Sequence, residues 1–145
     1  MNIPQNICDD HVVIARHAHG ADGASGIVCI LSVDHEYGDC EIALCHGLEN
    51  WAGENDRILA SEDTGLPYTL VVENDVCGYT YIDKIEEIIT IVPSTFWDSA
   101  PRGAEGPHNP LDARWNFKVA EVSRFHRLTS KFLRDLLEDC VEEVS

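Results

Sequence analysis

Short apolar runs, each about the length of one β-strand and bounded by turn residues, dominate the first two thirds of the chain. The longest uninterrupted apolar run, IVCIL at residues 27–31, is far below the roughly 20 residues that a membrane-spanning helix needs. The loops HGADGAS and DHEYGD between the first three runs consist of residues that favour turns. The pattern predicts strands at residues 11–17, 26–33, 40–46, 67–73 and 78–82.

The segments around and after the later strands are less regular. Residues 67–73 and 78–82 are separated by NDVC, a spacing typical of a hairpin. Residues 86–92 (EEIITIV) fit either a strand or a short helix, and residues 50–60 allow one helical turn. Residues 98–110, DSAPRGAEGPHNP, hold three prolines and two glycines. They predict a loop that divides an acidic body, residues 1–97, from a C-terminal segment, residues 113–142.

The C-terminal segment changes its hydrophobic period along its length. Residues 114–122 alternate between apolar and polar side chains, which predicts a strand. From Val122 onward a helical period begins, and it predicts a closing helix of about 20 residues. Its apolar stripe contains Val122, Phe125, Leu128, Phe132, Leu133, Leu136, Leu137 and Cys140. Its opposite, basic face contains Arg124, Arg127, Lys131 and Arg134.

The order of the predicted elements, with the strands first and one packing helix last, predicts a single α+β domain over residues 1–145. We expect a curved, barrel-like antiparallel sheet of about six strands, capped by the C-terminal amphipathic helix. A hydrophobic fraction of 44% is that of an ordinary globular protein. The acidic N-terminus, MNIPQNICDD, lacks the basic and apolar regions of a signal peptide. A cytoplasmic protein with six reduced cysteines is therefore expected.

The net charge of −16 is unevenly distributed. Residues 1–101 carry −15 and the remainder carries −1. Such a body repels nucleic acid and anionic membranes at long range, so neither is expected as a partner. Because the helix has this basic face, a nucleic-acid binder is the third and least favoured class of function. Its simpler role is to balance the charge of the acidic body.

Residues 33–47, VDHEYGDCEIALCHG, concentrate side chains that bind metals or act in catalysis. On a strand, however, Cys45 and His46 point to opposite faces and do not pair as nucleophile and base. No C-x-x-C or H-E-x-x-H motif occurs in the chain. A metal site would have to gather its ligands from separate loops, with His17, His19 and His35 as the candidates. Nothing in their spacing requires this, so no metal and no cofactor are predicted.

Aromatic side chains beside carboxylates at loop ends are typical of a pocket for a small or cationic ligand. The candidate ligand-binding residues are Trp51, Trp97, Tyr37, Tyr79, Glu49 and Glu54. The alternative is structural, with Trp97 and Trp115 anchoring the core and Trp51 covering a sheet edge.

The run EDTGLPYTLVVENDVCGYTYIDKIEEII, residues 62–89, has an apolar strand after a proline, a polar turn and a second strand. In this pattern it resembles plasmid-maintenance growth inhibitors of the MazF/CcdB type. The resemblance implies an SH3-like barrel that dimerises, and it matches no catalytic or target-binding position. Family members that cleave RNA use a cationic surface, whereas residues 1–101 carry −15. The resemblance therefore implies the barrel-like fold without that activity.

The sequence favours a non-catalytic binding module that forms a homo-oligomer, a dimer or larger, and binds a small molecule or a protein partner. A close variant is an acidic, antitoxin-like inhibitor that binds a basic partner. The second class is an enzyme that uses His, Asp or Glu side chains at strand ends, with His17, His19 and His35 as its first candidates.

Overall fold

The computed structural model describes residues 3–20, 23, 26–130, 132 and 137. This part of the chain forms a single α+β domain. Its strands are β1 (His11–His17), β2 (Gly26–Asp34), β3 (Asp39–His46), β4 (Asp56–Leu59), β5 (Leu70–Tyr81) and β6 (Ile85–Pro93). Its helices are α1 (Ser61–Thr64), α2 (Ser94–Ser99) and α3 (Ala113–Leu128), with 3₁₀ turns at Glu49–Trp51 and Ile82–Lys84. The predicted strands at 11–17, 26–33 and 40–46 are confirmed, and 86–92 forms a strand.

All six strands form one antiparallel sheet in the order β4-β5-β3-β2-β1-β6. The predicted antiparallel sheet of about six strands with a C-terminal helix is confirmed; the sheet is open rather than barrel-like, because the edge strands β4 and β6 do not pair with each other among the described residues. The outer edge of β4 is instead occupied by the loop after α2. The N–H of Ile58 donates to the carbonyl of Pro101 at 2.9 Å, and Arg57 bridges to Arg102. A loop on this edge satisfies the backbone groups that barrel closure would have paired.

Strand β5 is one continuous strand of 12 residues, so the predicted hairpin turn at NDVC is wrong. Leu44 of β3 pairs with Glu73, whereas the preceding Ala43 pairs with Cys77. Three residues of β5 are therefore extra at this point, and they form a wide bulge. The amide of Asn74 in the bulge donates to the carbonyl of Asn55 at 3.0 Å. The polar residues of the NDVC segment, which the sequence pattern assigns to a turn, therefore lie in a bulge within the strand.

Helix α3 begins at Ala113, so the predicted strand over residues 114–122 is wrong. Asp112 caps the helix, since its side chain accepts a hydrogen bond from the N–H of Arg114 at 2.9 Å. The alternation suggested a strand because a helix would turn Arg114 and Lys118 toward the core. The helix does this, and carboxylates neutralise both cations: Arg114 pairs with the capping Asp112, and Lys118 pairs with Asp56 and Glu73 of the body.

The predicted apolar stripe is only partly buried. Phe125 and Leu128 are buried on the sheet, whereas Val122 is 41% exposed and Leu137 is exposed. The ring of Phe132 lies 5.0 Å from that of Tyr81. Other predicted members of the stripe and of the basic face lie outside the described residues: Leu133, Leu136, Cys140, Lys131 and Arg134.

The sheet is buried on both faces, which explains the short, nearly continuous apolar runs. One face packs under Phe125 and Leu128 of α3, and the other packs against Leu66 and Trp97. The five described cysteines are unpaired. In the described part of the chain, no helix combines the length and the apolar character needed to cross a membrane.

Candidate functional site

The two predicted ligand-binding tryptophans contact different elements. Trp51 ends a 3₁₀ turn, is 37% exposed and packs on Phe117 of α3 with ring centroids 5.4 Å apart. Trp97 lies on α2, is partly buried on the other face of the sheet and has the guanidinium of Arg57 5.8 Å from its ring centroid. The structure therefore does not bring these two indoles into direct contact with a common partner.

The other predicted pocket residues are also dispersed. Tyr37 lies in the β2–β3 turn and is 74% exposed, and Tyr79 on β5 is 51% exposed. Glu49 is exposed beside Trp51. Glu54 lies 3.4 Å from the Nε2 atom of His108 and borders a cavity of about 350 Å³. Their assignment as a ligand pocket remains a prediction.

The three histidines proposed as metal ligands lie at opposite ends of β2. His17 pairs with Gly26 at the start of β2, whereas His35 follows Asp34 at its end. The eight steps between Gly26 and Asp34 span about 26 Å. His19 is exposed next to His17. The three imidazoles therefore do not converge on one ion.

A group of charged side chains, which we call the carboxylate cluster, lies between the sheet and α3; it is buried except at Asp75, which is exposed at its edge. It consists of Asp56, Glu73, Asp75 and Glu121 around the ammonium group of Lys118. The Nζ atom of Lys118 lies 2.7 Å from Asp56, 3.2 Å from Glu73 and 3.0 Å from Asp75. Asp56 and Glu73 are fully buried. The ammonium group of Lys118 offsets part of the cost of burying Asp56 and Glu73.

Glu73 holds a proton in this cluster. Burial raises the pKa of Glu73 to about 9, and the neighbouring Glu121 adds to this effect. No N–H or O–H donor of the described residues reaches its buried Oε2 atom, and the Glu121 side chain adjoins Glu73. Burial opposes ionisation of Glu121, but the hydrogen bonds from Glu73 and Arg124 outweigh it and hold the pKa of Glu121 below its usual range. One proton therefore joins the two carboxyl groups.

His46, at the end of β3, adjoins the cluster. Its Nδ1 accepts the N–H of Leu48 at 3.0 Å, which places the ring proton on Nε2. That Nε2 lies 3.9 Å from Glu73, and the ring packs edge-on against Phe117. Burial lowers the pKa of His46 to about 4, so the ring is neutral at pH 7.

A metal ion does not fit this arrangement, although ligand atoms of His46, Asp56 and Glu73 lie within 4.8 Å of one another. A ligating histidine donates its other ring N–H to an acceptor, whereas here the other nitrogen accepts a backbone N–H. The ammonium group of Lys118 already lies between the two carboxylates. The residues present therefore form an internally balanced ion cluster.

A cleft of about 550 Å³ opens at the same end of the sheet, between α3 and the ends of β1, β2 and β3. We call it the Arg/His cleft. Its polar lining residues are Arg16, His17, His19, His46 and Arg124. The rest of its lining is Gly26, Ile27, Cys45, Gly47, Tyr68 and Leu70. No aspartate or glutamate of the described residues is among those that line it.

The polar side chains of the Arg/His cleft are fixed by contacts within the protein. Arg124 donates to Glu121 at 2.6 Å and to the carbonyl of Cys45 at 3.1 Å. Arg16 forms a half-exposed ion pair with Glu87 at 2.6 Å. These contacts place two guanidinium groups around the cleft, and both are permanently charged.

His17 is buried and contributes shape rather than charge to the cleft. Its Nδ1–H donates to the carbonyl of Ala18 at 2.6 Å, and its Nε2 accepts from the hydroxyl of Thr80 at 2.7 Å. Burial lowers the pKa of His17, so the ring is neutral at pH 7.

Two glycines of the cleft lining are closely surrounded by neighbouring side chains. A Cβ atom at Gly26 would lie 3.1 Å from a methyl group of Leu128 and 3.3 Å from one of Leu44. A Cβ atom at Gly47 would lie 3.3 Å from the ring of Tyr68. A larger residue at Gly26 would press on the core leucines under α3, and one at Gly47 would press on Tyr68 in the cleft wall.

The sequence patterns do not single out Arg16, Asp56, Glu73 or Lys118. One available signal is Glu73, a lone acid that ends the apolar run PYTLVV. Another is the spacing of Arg114, Lys118 and Glu121, which lie on one side of a helix.

The comparisons with known proteins add no assignment. The sequence matches no model of a protein family, and no curated protein matches it significantly.

Proposed function

We propose that the protein is a non-catalytic binding module that holds a small anionic molecule in the Arg/His cleft. The observation that carries the proposal is the composition of the lining. The chain has 26 acidic residues and ten lysines and arginines. The described lining nevertheless contains two arginines, three histidines and no acid.

The chemistry of the cleft defines the ligand class. A guanidinium group binds carboxylate and phosphate oxygens through paired hydrogen bonds. The wall formed by Ile27, Leu70 and Tyr68 suits an apolar or aromatic part of the same molecule. A volume of about 550 Å³ lies within the range of small-molecule pockets.

Binding is favoured over catalysis by the state of the buried histidines. Both ring nitrogens of His17 are occupied by partners within the protein. The Nε2 atom of His46 is buried and faces Glu73 rather than the cleft. Neither ring offers a nitrogen to a substrate as a general base.

Titration calorimetry at low salt tests the proposal. The probes are citrate and inorganic pyrophosphate, with spermidine as a cationic control. Arg16→Gln removes one cation of the cleft, and Arg102→Gln removes an exposed cation outside its lining.

We expect saturable binding of at least one anion, whereas association of spermidine with the acidic surface should be unaffected by Arg16→Gln. Arg16→Gln should weaken the anion binding by about tenfold, the loss of one charge-assisted contact. Arg102→Gln should leave it unchanged. Absence of anion binding, or equal weakening by both variants, would contradict the proposal.

A further inference from the structure

Three metal-ligating side chains meet at the surface, away from both the Arg/His cleft and the carboxylate cluster. We call them the loop triad: Glu54 lies just before β4, whereas Glu105 and His108 lie in the loop between α2 and α3. The Nε2 atom of His108 lies 3.4 Å from a carboxylate oxygen of Glu54 and 3.7 Å from one of Glu105. One ligand atom from each of the three residues lies within 4.8 Å of the other two. The triad therefore brings together one imidazole nitrogen and two carboxylate oxygens.

The spacing within the triad fits ligands that share an ion better than it fits hydrogen bonds. A hydrogen bond from a ring N–H to an oxygen is about 2.7–3.2 Å long, and both contacts of His108 are longer. Two ligand atoms that are each about 2.1 Å from a tetrahedral ion lie about 3.4 Å apart. Glu54 and Glu105 form no other ion pair or side-chain hydrogen bond with the described residues. Both carboxylates are therefore available to a cation.

The two segments that carry the triad are held together by backbone contacts. The N–H of Glu54 donates to the carbonyl of Gly106 at 2.9 Å. The guanidinium group of Arg114 donates to the carbonyls of Ala52 and Ala104 at 2.9 and 2.8 Å, which ties both segments to α3. The backbone that carries the ligands is thus in place before an ion binds, which lowers the ordering cost of binding.

Two cations near the triad have other carboxylate partners. Arg114 pairs with Asp112 at 2.8 Å. Lys118, which lines the same cavity as Glu54, lies 2.7 Å from Asp56. Neither cation forms an ion pair with a triad carboxylate in the part of the chain that the structure describes. Metal binding requires the neutral imidazole, so two uncompensated negative charges remain in the triad, and a divalent cation balances them.

We propose that the loop triad binds one zinc ion through Glu54, Glu105 and His108. A donor set of one imidazole nitrogen and two carboxylate oxygens suits zinc, whereas calcium and magnesium prefer oxygen ligands alone. Three protein ligands leave the fourth tetrahedral position to water. The ion joins the segment before β4 to the loop before α3. The triad shares no residue with the lining of the Arg/His cleft, so this site is independent of the proposed anion binding.

Titration calorimetry with zinc chloride tests the proposal on the full chain, with its cysteines kept reduced by a phosphine. The wild-type protein should bind one zinc ion per chain with saturation. His108→Ala should raise the dissociation constant by at least about 100-fold, since even the loss of a residue that only orients a ligand costs roughly 10–100-fold. His126→Ala removes an exposed histidine of α3 outside the triad and should leave the affinity unchanged. Circular dichroism checks that the variants fold.

A second matched pair tests the carboxylates. Glu54→Gln removes one charged ligand at nearly constant size and should weaken zinc binding by at least about tenfold. Glu49→Gln, at an exposed acid of the preceding 3₁₀ turn, should not. Zinc should also raise the melting temperature of the wild type and not that of His108→Ala, because the ion binds only the folded triad.

A large excess of magnesium chloride should not displace the zinc ion, since magnesium prefers oxygen ligands alone. Absence of a saturable site, an affinity retained by His108→Ala, or equal weakening by both members of either pair would overturn the proposal. The last two results would mean that His108 only forms ion pairs with the two glutamates and that zinc binds elsewhere.

Discussion

At the scale of single residues, the proton on Glu73 decides the charge balance under α3. With Glu73 neutral, Lys118 faces the carboxylates of Asp56 and Asp75, and Arg124 faces that of Glu121. Ionisation of Glu73 would place an additional negative charge in a fully buried position. The same chain of contacts holds Arg124 at the Arg/His cleft, so the buried proton supports the geometry of the proposed ligand site.

The raised pKa of Glu73 makes stability depend on pH. Its stabilising contribution is complete below the unfolded pKa of 4.5 and is lost as the pH rises toward about 9. His46 has the opposite effect, but only between its folded pKa of about 4 and its unfolded pKa of 6.5. The free energy of unfolding should therefore fall by about 1–2 kcal/mol between pH 6.5 and pH 8.

Glu73→Gln isolates this effect, because glutamine keeps a donor for Glu121 and an oxygen for Lys118 without titrating. Urea unfolding at pH 6.5 and pH 8 should show equal stability for the variant and a loss for the wild type. A wild-type stability that is flat or rising over this interval would show that Glu73 is ionised in the folded protein.

Residue-level contacts of this kind are the part that the sequence predicts least well. Lys118 meets Asp56 and Glu73 across 62 and 45 positions of sequence, respectively. Periodicity reports which face a residue occupies and carries no information on such distant partners. The sequence correctly predicts that His17 lies at a strand end. Its hydrogen bond with Thr80 is not predictable in this way, because it depends on the register of β5.

At the scale of elements, helix α3 is unusual because the side that packs on the sheet carries charged residues. Its sheet-facing side carries Arg114, Lys118, Glu121 and Arg124 besides Phe117, Phe125 and Leu128. Hydrophobic periodicity assumes that charged side chains face solvent. A helix over residues 114–122 would turn Arg114 and Lys118 toward the core, so the periodicity predicts a strand there instead. The helix forms because each of these cations has a carboxylate partner: Lys118 in the acidic body, and Arg114 and Arg124 in Asp112 and Glu121 of the helix segment itself.

Phe117 should contribute much of the docking of α3, because its ring packs between Trp51 and His46. Phe117→Ala should lower the free energy of unfolding by about 2 kcal/mol, somewhat less than for a fully buried phenylalanine. Urea unfolding followed by tryptophan fluorescence measures this loss. Asn116→Ala, at the exposed neighbouring position, should change stability by no more than ~0.5 kcal/mol. Equal effects of the two substitutions would show that the ring contributes little to docking.

At the scale of the whole molecule, the net charge of −16 works against folding. The repulsion among exposed carboxylates is long-range and is screened by salt, whereas the buried carboxylate cluster is screened little. The melting temperature should therefore rise when sodium chloride is increased from low to about half-molar, by roughly 4 °C for each kcal/mol of repulsion removed. Differential scanning calorimetry checks this. A falling melting temperature would mean that exposed ion pairs such as Arg16–Glu87 outweigh the net repulsion.

The sequence predicts more of the overall architecture than of the candidate site. The first three strands are predicted correctly because turn residues bound each of them, and the order of strands before a helix predicts the α+β class. The open sheet is not predictable in this way, since closure depends on whether the loop near Pro101 or strand β6 pairs with β4. The Arg/His cleft likewise joins residues from both ends of the chain, from Arg16 to Arg124.

Amide chemical-shift mapping tests whether an anionic molecule binds in the Arg/His cleft. Isotope-labelled protein would be titrated with citrate or inorganic pyrophosphate at low salt. Saturable shifts should concentrate at the amides of Gly26, Ile27 and Gly47, while Gly53 and Gly103, outside the cleft lining, should stay unchanged. Shifts that do not saturate, or that concentrate away from the cleft, would show that the Arg/His cleft is not an anion-binding site.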